Sequence, residues 1–311
     1  MYIDRLIRGG IMKSEKNMLA FSAAGGLFFA VLGIAWGVIV KSDMIMFDGL
    51  YSLISLFLSI LALYISNYIK KADFDKYPFG KGALEPIVVA FQSIVLIVMC
   101  LITLTDGIKE LVAGGNDVDT GLALAYSFIS SIGCAVSYYI LNKNGKKISS
   151  EIVNAESNQW LMDTILSLAV LVGFVFVMII SKTDYAHLTR FIDPLMVIVS
   201  SIFFIKVPIK TLIQCFGEII NKNADKDIND KIYTIVKDIE EEYKFEDSIT
   251  RVSKVGRELR IEIDFVFNEE SRLKELEEMD KVREEVYVGI KNIKLNKWLN
   301  VNFTADRKWA M

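Results

Sequence analysis

Histidine is almost missing from this chain: His187 is the only one in 311 residues. An imidazole-built metal shell is thereby excluded, and so is the commonest general base of an enzyme, and His187 itself reads as a residue of a short loop. No paired nucleophile and base can be assembled from what remains, so a membrane enzyme gains no support. Cysteine is scarce too. Cys100, Cys134 and Cys215 sit in or beside apolar blocks without paired spacing, which suits small buried hydrophobes and not a disulfide framework, and leaves the redox compartment open. Residues 217–311 contain neither His nor Cys, and no low-complexity tract or short repeat is present. A net charge of -3 shows no excess of one sign, and nucleic-acid binding finds no footing.

Apolar residues are what the chain has in plenty. They make up 53% of it, with a mean hydropathy of +0.39, and they fall in long blocks between residues 17 and 215. The last hundred residues are ordinary charged sequence. Three regions follow: a basic N-terminal segment 1–16, a transmembrane region 17–215 and a soluble domain 216–311. About 20 apolar residues span a bilayer as a helix. Six segments qualify: Asn17 to Val40, Met44 to Ile69, Pro86 to Ile108, Gly121 to Leu141, Gln159 to Ser181 and Phe191 to Cys215. The first follows a basic stretch and precedes further spans, so it is expected to remain in the mature protein.

Lys and Arg in the short loops set the orientation. Arg5, Arg8, Lys13 and Lys16 precede the first span, Lys70, Lys71, Lys76 and Lys81 follow the second, Lys143, Lys146 and Lys147 follow the fourth, and Lys206 and Lys210 close the sixth. The opposite loops carry only Lys41, Lys109, Lys182 and Arg190. Both termini are therefore expected on the cytoplasmic side.

The soluble tail alternates element types. Ile228, Ile232, Ile235, Val236 and Ile239 form one apolar stripe on a helix from Lys226 to Tyr243. A strand Ser248 to Val255 leads through Gly256-Arg257-Glu258 into a second, Leu259 to Phe267, with period-two alternation. A charged helix from Ser271 to Asn292 and a strand from Trp298 to Thr304 complete an α-β-β-α-β order, a two-layer α+β domain.

Carboxylates inside the spans bear most directly on function, since each costs at least ~2.5 kcal/mol at a helix centre. Asp48 lies early in the second span and Asp163 early in the fifth. Taken as running in the same sense, the two spans would bring both acids in at the same outer-leaflet level. Asp48 with Ser52, and Gln159 with Asp163, are one-turn polar pairs, four oxygen donors in all. Two facing acids repel unless a cation lies between them. The plainer alternative is that these groups are solvated near the interface or bond one another across helices. Glu85 and Lys81 at the mouth of the third span, and Asp106 and Asp193 near outer span ends, are weaker candidates.

Three stretches in order carry a resemblance: Met46-Phe47-Asp48-Gly49-Leu50-Tyr51-Ser52, then Tyr77-Pro78-Phe79-Gly80-Lys81-Gly82, then Gln159-Trp160-Leu161-Met162-Asp163. The sequence resembles the cation diffusion facilitator family over nearly its whole length, and Asp193-Pro194 opening the sixth span fits as well. The resemblance implies a six-span efflux transporter with a cytoplasmic metallochaperone-like (ferredoxin-like) tail, a homodimer in the lipid bilayer, and metal export coupled to proton entry by antiport. It implies metal ligands at Asp48, Ser52, Gln159 and Asp163. Ser52 and Gln159 stand where the family usually has Asp and His or Asp, and Tyr77 and Lys81 replace its loop histidines. An oxygen site of this kind suits Mn²⁺ before Zn²⁺, with Mg²⁺, Fe²⁺ and Co²⁺ also compatible, and no resident cofactor is implied. Gln159 does not titrate, so proton exchange would fall to Asp48 and Asp163. Alternatives are a carrier of another cation, including a monovalent one, a transport-inactive metal sensor, or a membrane scaffold. The lack of a His-rich loop or eukaryotic targeting signal points to a prokaryotic cell membrane.

Overall fold

The computed structural model describes residues 2–69, 75–148, 151–256, 258–273, 275–293 and 295–310. Side chains of 2–16, 59, 62–63, 66–67, 147–148, 151–152 and 154–155 lie outside that description, as do Lys70, Lys71 and Arg257; of the basic residues used for orientation, this removes Arg5, Arg8, Lys13, Lys16 and Lys147. By contacts the chain forms two compact units, Met1–Leu61 with Gln92–Ile209, and Ala62–Phe91 with Lys210–Met311.

The chain opens with helices α1 (Tyr2–Val40), α2 (Asp43–Ile69), α3 (Leu84–Val112), α4 (Thr120–Ile148), α5 (Glu151–Ile180), α6 (Ile192–Phe204) and α7 (Lys206–Ile219). Among the described residues, five stretches are long and apolar enough to cross a membrane: Asn17–Val40, Leu84–Val112, Thr120–Lys146, Glu156–Ile180 and Ala186–Ile219. The 27-residue α2 has the length of a further span. Phe28, Val38, Phe57, Ile102, Val172 and Phe203 are exposed, a pattern costly in water and suited to lipid. The sixth span differs from the single helix expected. It breaks at Ile205 and resumes as α7, because Pro208 has no N–H to bond the carbonyl of Phe204 and is tolerated only in a first helical turn.

Local chemistry explains the other ends. Lys41 adopts a left-handed φ of 55°, and the Ser42 hydroxyl accepts the Ile45 N–H at 3.2 Å, capping α2. Asp119 caps α4 by accepting the Leu122 N–H at 3.1 Å. After α3 the left-handed Gly114 and Gly115 turn the chain, and the Gly115 N–H returns to the Glu110 carbonyl at 2.9 Å.

The tail has the expected order: α8 (Lys226–Tyr243), β1 (Asp247–Val255), β2 (Glu258–Val266), α9 (Leu276–Gly289) and β3 (Asn296–Thr304). The sheet runs β1-β2-β3, with β1 antiparallel and β3 parallel to β2. The parallel pair requires a crossover, and α9 provides it. Gly256 has a φ of 59°, the positive value a tight hairpin turn requires. One sheet face, with Val252, Leu259, Ile261, Ile263, Phe265 and Val301, packs on Ile232, Val236 and Ile239 of α8 and on Val282 and Val286 of α9. The helix expected from Ser271 begins five residues later, at Leu276. Ser271 is occupied in a turn, accepting the Asn268 N–H at 2.9 Å, and Glu278 reaches back to the Glu275 N–H at 3.2 Å to start the helix there.

Candidate functional site

Helices α1 and α2 touch backbone to backbone. A Cβ on Gly49 would stand 2.5 Å from the Ile34 nitrogen and 2.9 Å from the Ala30 carbonyl oxygen, and one on Gly37 2.7 Å from the Met46 nitrogen. Small residues permit this approach. The contact seats the start of α2 in a core of Val40, Met44, Ile45, Phe47, Met99, Cys100 and Phe174, and it carries Asp48, the neighbour of Gly49, with it. Asp48 is half-buried, and its Oδ2 accepts a hydrogen bond from the Tyr126 hydroxyl of α4 at 3.3 Å.

Asp163 is half-buried on α5, within electrostatic reach of Asp48 and of Glu156. Ser52 is half-buried one turn beyond Asp48, whereas Gln159 is exposed. The fold thus brings the two acids into mutual influence and leaves Gln159 at the surface of the single chain. Among the described residues, no three His, Cys, Asp or Glu side chains gather to hold a metal ion.

The sense of the helices corrects one expectation. Ser130 of α4 meets Ser167 of α5 at 3.1 Å, while Leu141, later in α4, clusters with Val153, earlier in α5, so these helices are antiparallel. The Asp119 N–H bonds the Val40 carbonyl at 3.2 Å, so α2 and α4 begin at the same end. Helices α2 and α5 therefore run in opposite senses, as the two spans between them, α3 and α4, demand. The acids do not approach by entering alike. Asp163 lies well inside α5 (Glu151–Ile180), whereas Asp48 lies close to the start of α2 (Asp43–Ile69).

Asp193 has more to do than an acid at a span end. It is 1% exposed, takes the Ser42 hydroxyl on Oδ1 at 2.6 Å and the Asp43 N–H on Oδ2 at 2.8 Å, and so ties α6 to the first turn of α2. Asp106 is an ordinary exposed acid, paired with Lys109 at 2.9 Å. Lys81 lies over the rings of Tyr68 at 4.3 Å and Tyr77 at 4.9 Å, a cation held by aromatic faces where relatives are expected to carry histidine. Tyr126 was not among the residues singled out by sequence. Its signal was there: Tyr126 and Ser130 form a one-turn polar pair in an apolar span, the same pattern that marked Asp48 with Ser52.

Residues 18–220 match the cation efflux transmembrane domain. The chain belongs to the cation efflux family. These are the cation diffusion facilitators, divalent metal cation transporters and not enzymes, and the apolar helices above are those of such a multi-pass carrier. This cation efflux transporter is 23% identical over 213 residues to the manganese efflux system protein MneP of Bacillus subtilis (strain 168), covering 68% of this chain and 69% of that protein. It is 21% identical over 276 residues to metal tolerance protein 10 of Arabidopsis thaliana, 88% of this chain but 62% of the plant protein. Magnetosome protein MamB of Magnetospira sp. (strain QH-2) is 21% identical over 274 residues, 83% of this chain and 89% of that one.

Proposed function

We propose that this cation efflux transporter exports Mn²⁺ in preference to Zn²⁺, carrying the ion between Asp48 and Asp163 with Ser52 and Gln159 as neutral oxygen ligands. The observation that carries this reading is two carboxylates in electrostatic reach of each other inside an apolar helix bundle. Such a pair is costly when empty and favourable around a cation. With at most two negative charges and no imidazole or thiolate, the site penalises Zn²⁺ most, and water completes an oxygen shell around Mn²⁺. The manganese efflux activity in the name of the Bacillus relative agrees with this choice. Mg²⁺ follows, held back by its reluctance to dehydrate.

Proton entry drives export in this reading, with Asp48 and Asp163 exchanging protons for metal. The loop charges support cytoplasmic termini for a segment 1–16, a membrane region 17–215 and a tail 216–311, and the tail holds two copies together as a homodimer without His- or Cys-based metal sites. Metal flux in sealed vesicles tests the reading. Asp48→Ala and Asp163→Ala are expected to abolish Mn²⁺ transport, and Gln159→His with Ser52→Asp to shift competition toward Zn²⁺. An unmodified protein that prefers Zn²⁺ overturns the oxygen-site argument. Tight stoichiometric Zn²⁺ binding lost on truncating residues 217–311 would refute the metal-free tail.

A further inference from the structure

The hydrogen bond on Asp48 is the end of a longer polar chain between α4 and α5. An ionised carboxylate only accepts, so the Tyr126 hydroxyl is the donor of its 3.3 Å bond to Asp48 Oδ2. The phenol oxygen is then left as an acceptor, and Ser130 lies one turn along α4, on the same helix face. The Ser130 hydroxyl meets that of Ser167 of α5 at 3.1 Å, and the Cys134 thiol lies 3.9 Å from that same Ser167 oxygen. Ser167 is one helical turn from Asp163, so the chain begins beside one proposed ligand and ends on the other.

The phenol is also sterically confined. Tyr126 is 3% exposed, its ring lies 6.4 Å from that of Trp36, and a Cβ on Gly33 would stand 2.7 Å from its hydroxyl oxygen. Trp36 is itself held, donating its indole N–H to the Leu122 carbonyl at 2.9 Å. No described side chain donates to the other oxygen of Asp48.

We propose that Tyr126 is a positioning residue of the cation site, its hydroxyl fixing Oδ2 of Asp48 so that Oδ1 faces the ion. This rests on Asp48 being a ligand. A ligand's outer partner orients it and tunes its affinity, and removing such a partner characteristically weakens metal binding about 10–100-fold. A tyrosine that merely fills the core would affect stability and leave affinity alone.

The test is equilibrium Mn²⁺ binding to the purified full-length protein in detergent, read from the free-ion electron paramagnetic resonance signal, for wild type, Tyr126→Phe, Ser130→Ala, Asp48→Ala and Asp48→Ala with Tyr126→Phe. Tyr126→Phe keeps the ring and loses only the hydroxyl, and is expected to weaken binding about 10–100-fold. The double variant is expected to bind no more weakly than Asp48→Ala alone, because Tyr126 acts through that carboxylate. Ser130→Ala leaves the phenol in place and removes the polar neighbour on its helix face, and a smaller weakening is expected; it decides the matter if Tyr126→Phe does not fold. Asp48→Ala with unchanged affinity overturns the site reading itself. Weakened binding in Asp48→Ala together with affinity within twofold of wild type in Tyr126→Phe, or in Ser130→Ala should Tyr126→Phe not fold, overturns this proposal and leaves the site reading standing.

Discussion

Replacing Gly49 by alanine adds one methyl group where α1 and α2 touch. The new carbon would lie 2.5 Å from the Ile34 nitrogen, 2.8 Å from the Gly33 carbonyl carbon and 2.9 Å from the Ala30 carbonyl oxygen. All three are backbone atoms, so no rotamer change relieves the clash. Carbon contacts are comfortable near 3.5 Å, and the helices must part by roughly 1 Å to restore one. Overpacking of this kind costs about 1–3 kcal/mol. The displacement also falls on the residue after Asp48, whose bond to Tyr126 is already 3.3 Å long and would pass beyond hydrogen-bonding range. Gly26 is the control: on the same helix α1, a Cβ there meets nothing within 4 Å. Gly26→Ala is expected to be neutral or to gain up to about 1 kcal/mol from helix propensity. Thermal unfolding in detergent, with Mn²⁺ flux in vesicles, separates the two variants. Equal unfolding midpoints and equal transport in Gly49→Ala and Gly26→Ala would refute the tight crossing and its hold on Asp48.

Asp193→Ala strands two buried donors at about 1–3 kcal/mol each, whereas Asp193→Asn keeps one acceptor; thermal midpoints should fall in the order wild type, Asn, Ala, and an alanine variant as stable as asparagine contradicts the tie between α6 and α2. In the tail, the Tyr243 hydroxyl donates to Glu285 at 2.8 Å, and that bond, with burial second, raises its pKa from 10.0 to about 12. The folded state holds this proton more tightly than the unfolded one, so the stabilisation is full below pH 10 and is lost as pH rises toward about 12. The stability advantage of wild type over Tyr243→Phe should vanish across that interval, and an advantage that instead grows with pH reverses the sign of the argument. Cys100, Cys134 and Cys215 are 0%, 4% and 6% exposed, so maleimide labelling of native protein should be slow and become complete in SDS.

Much of this architecture is legible in the residue order because its causes are local. Spans follow from runs of about 20 apolar residues, and the α-β-β-α-β tail from a change of hydrophobic period between stripes such as Ile232-Val236-Ile239 and alternations such as Leu259-Ile261-Ile263. Asp48 and Asp163 stand out because a carboxylate in an apolar span is expensive wherever it points. What each acid meets is not local. Tyr126 lies 78 positions from Asp48, and Asp43 lies 150 from Asp193. The same holds for the exposure of Gln159. A one-turn pairing rule puts Gln159 and Asp163 on the same side of a helix, but only the packing of α5 decides that the acid is sheltered and the amide is not. Sequence determined which side chains were too costly to be idle, and the tertiary structure decided their partners, because desolvation is paid residue by residue while hydrogen bonds need two groups brought together by the fold.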